Sequence, residues 1–167
     1  MTQYNFDSTF AAKAEFLSKT SFRSNTNFSG AVNLDSSANV QEIYEKVCVY
    51  DKAAYQEIEI DVNKGSLHNY TSEATGNFTF NIKGLNNIPI QKSIVITVLI
   101  NMGSSAYVIS NPSTTGFKID GTSVTVKWIS SSPPSSGFTN SINSYNFAII
   151  KNTTTSYTVL GTLTRFG

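Results

Sequence analysis

Glu57, Glu59 and Asp61 stand two residues apart, and the chain has one histidine, His68, and one cysteine, Cys48. Paired carboxylates can hydrolyse a glycosidic bond, one donating a proton while the other acts as base or nucleophile. A thiol beside an imidazole can attack a carbonyl. A spacing of two, however, puts all three carboxylates on one strand face, opposite Ile58, Ile60 and Val62, which is the pattern of a solvated face. Cys48 lies between Val47 and Val49, as a small core or interface residue does. His68 is expected at the surface, and the two residues fall in separate strands. One cysteine excludes an internal disulfide, and with one histidine no Cys/His zinc site can form within one chain. No glycine-rich loop leads from a strand into a helix, so nucleotide binding is unsupported. The expectation is no catalytic constellation, no metal and no cofactor.

Binding is the better-supported chemistry. Aromatic rings in polar surroundings offer flat faces to sugars and partner proteins, and Tyr55, Tyr70, Tyr107 and Phe138 stand in such contexts. The same residue types also build strand cores and subunit contacts. Trp128 alternates with Val124 and Val126 and reads as core, its indole N–H needing an internal acceptor.

These residues must be positioned by strands. Short runs punctuated by turns suggest strands at 42–50, 57–62, 67–70, 77–83, 93–101, 106–109, 116–120, 123–129, 145–151 and 156–166. Phe78-Thr-Phe80-Asn-Ile82 and Val124-Thr-Val126-Lys-Trp128 alternate as half-buried strands do. Ile94 to Ile100 is apolar on both faces and is expected between two layers. Asp120-Gly121, flanked by Phe117-Lys-Ile119 and Val124-Thr-Val126, is a two-residue hairpin signal. Residues 42–167 therefore read as an all-β head, an antiparallel β-sandwich of jelly-roll type, with a closed barrel as the other architecture.

Residues 1–41 differ. Tyr4, Phe10, Phe16, Phe22, Phe28, Leu34 and Val40 recur every sixth position. Six is a multiple of the strand period of two and not of 3.6, so these side chains share a face only in an extended chain. Residues 8–18 alone retain enough Ala, Lys and Glu for a helical alternative. The polar residues between the anchors supply too little apolar surface for the segment to fold by itself, and copies of itself would supply the rest. The segment reads as an arm or stalk for trimerisation and docking.

The charged fraction is 14% and the net charge +1, against a typical charged fraction of ~25%. No basic field draws the chain to nucleic acid or to an anionic membrane, and the longest apolar run is too short to cross a bilayer. Met1-Thr-Gln-Tyr-Asn5 lacks a basic n-region, so no signal peptide is expected and synthesis in a cytoplasm is.

From Glu42 onward the ordered motifs are Glu45-Lys-Val47, Gly76-Asn-Phe-Thr-Phe-Asn-Ile-Lys-Gly84, Ser93-Ile-Val-Ile-Thr-Val98, Phe117-Lys-Ile-Asp-Gly121, Val126-Lys-Trp128, Pro134 to Gly137, Ser144-Tyr-Asn-Phe-Ala-Ile-Ile-Lys151 and Tyr157-Thr-Val-Leu-Gly161, with Phe166 near the end. Together they resemble a family of phage virion structural proteins, of the kind carried by phages of marine cyanobacteria, in which this module ends fibre-like proteins. The resemblance covers about three quarters of the chain. It implies a homotrimer on the virion surface, contacting capsid, neck, baseplate or tail proteins, and supplies no catalytic residue. The short segment before the module favours a short fibre, decoration or knob. The alternative is a tail-fibre tip that binds a host receptor or surface glycan.

Overall fold

The computed structural model describes residues 44–167. The arm at 1–41, its seven apolar anchors and the helical alternative over 8–18 lie outside the described residues.

The described chain forms ten strands and two short 3₁₀ turns, Leu85–Asn87 and Ile129–Ser131. The strands are β1 (Val47–Ala53), β2 (Gln56–Asp61), β3 (Leu67–Ser72), β4 (Phe78–Lys83), β5 (Ser93–Met102), β6 (Phe117–Ile119), β7 (Thr122–Ser123), β8 (Val126–Trp128), β9 (Ser141–Lys151) and β10 (Tyr157–Phe166). They make two sheets, one of six strands in the order β1-β3-β5-β9-β10-β8 and one of four in the order β2-β4-β6-β7. The all-β expectation holds.

The expected antiparallel, jelly-roll pairing does not. Five of the eight strand pairs are parallel: β1/β3, β3/β5, β2/β4, β4/β6 and β8/β10. Only β5/β9, β9/β10 and β6/β7 are antiparallel. The cause is that the chain changes sheet after each of its first five strands. Two successive reversals restore the original direction, so β3 enters beside β1 running the same way. A parallel neighbour normally requires a long crossover; here the intervening strand of the other sheet is that crossover.

Local chemistry explains where strands stop. Asp120 and Gly121 have φ of 47° and 87°, the paired left-handed conformation of a tight hairpin, and they set Ile119 opposite Thr122. The expected run 123–129 is split, because after Val124, whose N–H donates to Phe117 O at 3.0 Å, the chain leaves one sheet and joins the other at β8. The expected strand at 106–109 is reduced to a single bridge between Phe78 and Ile109.

Alternate side chains from both sheets meet in one core. In the four-stranded sheet, register aligns Ile58, Phe80 and Phe117 in one row and Ile60, Ile82 and Ile119 in the next. In the six-stranded sheet, Ile96, Phe147, Gly161 and Trp128 form a row. Phe80 packs against Tyr145 and Phe147 with centroids 5.2 and 5.3 Å apart, and Phe117 lies 4.7 Å from Phe147. Each fully buried ring of this kind contributes roughly 2–3 kcal/mol of transfer free energy. Trp128 is buried and its Nε1 donates to Pro112 O at 3.1 Å, the internal acceptor its position demanded.

The placement of Ile94–Ile100 between two layers needs correction. β5 lies near the middle of its sheet, and Ile96, Val98, Ile100 and Met102 are buried on its inner face. Its outer face, with Val95 and Leu99, meets no second layer among the described residues.

Candidate functional site

The carboxylates of β2 are locked into a neutralising network. Glu57 Oε2 accepts from Lys118 Nζ at 2.6 Å and its Oε1 from Asn81 Nδ2 at 2.9 Å, while Glu59 pairs with Lys83 at 3.7 Å. The Lys118 and Asn81 hydrogen bonds hold the Glu57 carboxyl below its ordinary pKa. Asp61 Oδ1 accepts from the N–H and side-chain amide of Asn63, fixing the turn after β2. A glycosidase pair needs one carboxyl pushed up to serve as acid. Here the paired carboxylate is pushed the other way, and the row is a solvated face over the buried Ile58 and Ile60.

His68 is not at the surface. It is fully buried on the inner face of β3, in register with Cys48 of β1. Its ring nitrogens are occupied, Nε2 by Gly65 O at 2.9 Å and Nδ1 by the Tyr50 hydroxyl at 3.1 Å, so neither serves the Cys48 thiol. Burial pushes the imidazole below its ordinary pKa and keeps it neutral. Among the described residues no group of three or more His, Cys, Asp or Glu side chains is arranged to hold a metal ion.

The four aromatics do not converge. Tyr70 is buried on the core face of β3, stacked 4.7 Å from Tyr50, and burial raises its hydroxyl pKa. It is a core residue because it shares the inward side of β3 with His68, two positions before it. Tyr55, 53% exposed, sits between β1 and β2 with its ring over Gly76. Tyr107 is half-buried with its carbonyl against Gly137, and Phe138 lies under the Arg165 guanidinium at 6.0 Å. None of the four lines either of the two best-formed surface cavities, of about 490 and 320 Å³.

What the fold does assemble is a pair of contrasting sheet faces. The outer face of the four-stranded sheet carries Glu57, Glu59, Lys83 and Lys118 in ion pairs. The outward positions of β3, β5, β9 and β10 carry no charge at all. They present Val95 (59% exposed), Leu160 (45%) and Phe166 (57%), and β1 adds Val49 (62%). Register sets Val95, Ala148 and Leu160 in one row and Val49, Asn69, Leu99, Ser144 and Thr164 in another. Three of the polar side chains in this face bond to one another, Thr97 Oγ1 donating to Asn146 Oδ1 at 2.9 Å and Asn146 Nδ2 to Ser144 Oγ at 3.1 Å. Such a face can be covered without stranding those groups. Its one sequence signal was the doubly apolar run 94–100, which marked burial on both sides but not what supplies the second side.

No protein-family model, curated protein or solved structure matches this chain.

Proposed function

We propose that this chain is a non-enzymatic structural protein of a bacteriophage particle, a short trimeric fibre, decoration or knob at the virion surface. In this reading the arm, with its anchors from Tyr4 to Val40, joins three chains and docks them onto capsid, neck, baseplate or tail proteins. The two sheets form the β-sandwich head, made in the host cytoplasm and displayed on the particle without nucleic acid, membrane insertion or cofactor. The observation that carries the reading is the contrast between the two outer sheet faces: a wide uncharged face of mixed apolar and neutral polar side chains and a charged, ion-paired one, which is the polarity of an assembly module. The neutralised carboxylates and the fully engaged imidazole support it from the side of chemistry. The alternative, a tip that binds a host receptor or glycan, retains Tyr55 and Phe138 as its exposed aromatics.

Immunogold electron microscopy of purified particles, with antibody against residues 130–140, tests the proposal together with a chain lacking residues 1–30. Labelled particles for the full chain, and none for the truncated chain, are expected. Particles without the full-length chain, or release of sugar from host polysaccharide by the purified protein, would overturn it.

A further inference from the structure

The proposed reading leaves open what covers the uncharged face, and on that reading of a trimer we infer that the outer face of the six-stranded sheet is turned to the threefold axis and covered by the same face of the two other copies. Copies of one chain bring identical charges together, so a surface meant for them must be neutral or carry both signs. The outward positions of β3, β5, β9 and β10 are neutral throughout, and the charges fall on the edge strands, Asp51 on β1 and Lys127 on β8. A partner selected by charge would need the opposite arrangement, which the four-stranded sheet has.

Dimensions agree. Six strands about 4.8 Å apart make a face about 24 Å wide, and three such faces closed as a triangular prism hold each sheet about 7 Å from the axis. One sheet's side chains fill about 5 Å when two sheets stack ~10 Å apart, so the prism interior is filled by side chains rather than left as a channel. The midline of each face, between β5 and β9, lies nearest the axis. Val95, Thr97, Leu99, Ser144 and Ala148 stand along it, and the exposed Val49 and Leu160 lie toward the corners. At about 33 Å along its longest strands the face offers up to about 800 Å² per copy, the scale of a standard stable interface.

The test uses the full-length chain with Val95→Lys and Leu160→Lys on the face, and Ser123→Lys on the other sheet as control. Light scattering at micromolar concentration should give a trimer for the wild type and the control, and a dissociation midpoint raised at least tenfold for the double variant with its circular dichroism unchanged. Because lysines on a sheet also perturb the fold itself, nitroxide labels on Val95→Cys, in a Cys48→Ala background, provide a second measurement. Pulsed electron resonance should then read label separations of roughly 10–20 Å, against roughly 40 Å for labels at Ser123→Cys, which lies one further ~10 Å sheet spacing from the axis. A trimeric mass with long separations at 95 overturns the inference while leaving the trimer standing, and is the outcome if the arm or another protein covers the face. A dimeric mass with short separations at 95 overturns the threefold arrangement. A monomeric mass overturns the trimer and the inference with it.

Discussion

Acidification from pH 7 to pH 5 should destabilise the head through one side chain. His68 is the only histidine in the chain, so no second imidazole titrates in this window. Gly65 O can only accept, so Nε2 carries the ring proton and Nδ1 accepts from the Tyr50 hydroxyl. Adding a proton at Nδ1 forces the Tyr50 hydroxyl to turn and accept, and places a charge in a site closed to water. Burial is the largest influence and lowers the pKa, with Lys64 assisting and the Gly65 hydrogen bond and Asp61 opposing. In the unfolded chain the imidazole takes up its proton near pH 6.5, while in the folded chain it does so only at lower pH. The unfolded state therefore holds more protons in between. The stability owed to the neutral ring is complete above pH 6.5 and falls as pH drops, by up to ~1.4 kcal/mol per pH unit, until the folded pKa is reached.

From pH 6.5 to 5 the loss is at most about 2 kcal/mol, or up to ~8 °C in Tm at about 4 °C per kcal/mol for a domain of this size. Glu57 does not interfere. The contribution of Glu57, whose folded pKa is lowered from 4.5, is intact above that value and lost only as pH falls below it. Urea titrations at half-unit steps between pH 7.5 and 5, on wild type and on His68→Gln, measure the slope. Glutamine alters the overall stability at every pH, so the slope is the quantity to compare. A wild-type curve flat over this range, or an undiminished slope in His68→Gln, would refute the reasoning.

Two glycine substitutions separate crowding from backbone strain. A Cβ on Gly161 would lie 2.6 Å from Val126 Cγ1 and 3.0 Å from Trp128 Cζ3, so Gly161→Ala should cost about 1–3 kcal/mol by overpacking, measured by thermal unfolding. Gly121→Ala meets open space and only the strain of φ 87°, and should cost about 1 kcal/mol; equal losses at both sites would contradict the difference in crowding. Lys151, buried, donates from Nζ to Leu85 O at 3.2 Å and Asn86 O at 3.0 Å. Lys151→Met removes the donor to Asn86 O, while Leu85 O keeps the Ile88 N–H at 3.1 Å, and should lose about 1–3 kcal/mol in urea unfolding; a gain in stability would mean that desolvating the ammonium outweighs its bonds.

Which stretches are strands was legible in the sequence, because alternation such as Phe78-Thr-Phe80-Asn-Ile82 follows from one buried face whatever lies beside it. Direction was not legible for the same reason. A strand whose parallel neighbours are reached through the opposite sheet alternates as an antiparallel one does, and nothing in Ile58-Glu-Ile60 reports that β4 enters beside it running the same way. The Asp120-Gly121 turn was legible because only left-handed backbone permits it. His68 was misplaced because Leu67 competes for the inward position: the pair Leu67 and Asn69 and the pair His68 and Tyr70 both fit a strand of period two. Two hydrogen bonds and a tyrosine neighbour, all supplied by tertiary structure, turned the histidine inward.

On the inferred trimer, the edges of the sheets favour association through the face over association along the strands. An open edge adds further strands unless it is short or charged. In the six-stranded sheet the edge strand β1 carries Asp51 and Lys52, and β8 is three residues long with Lys127 at its centre. In the four-stranded sheet β2 carries Glu57 and Glu59, and β7 has only two residues. All four edges are thus blunted, which prevents open-ended growth by strand addition. The uncharged interior of the six-stranded face has no such protection, and three of its polar side chains, Thr97, Asn146 and Ser144, are already bonded to one another. On the inferred threefold arrangement, the blunted edges and the broad uncharged face of the described residues close a fixed number of copies instead of an open-ended sheet.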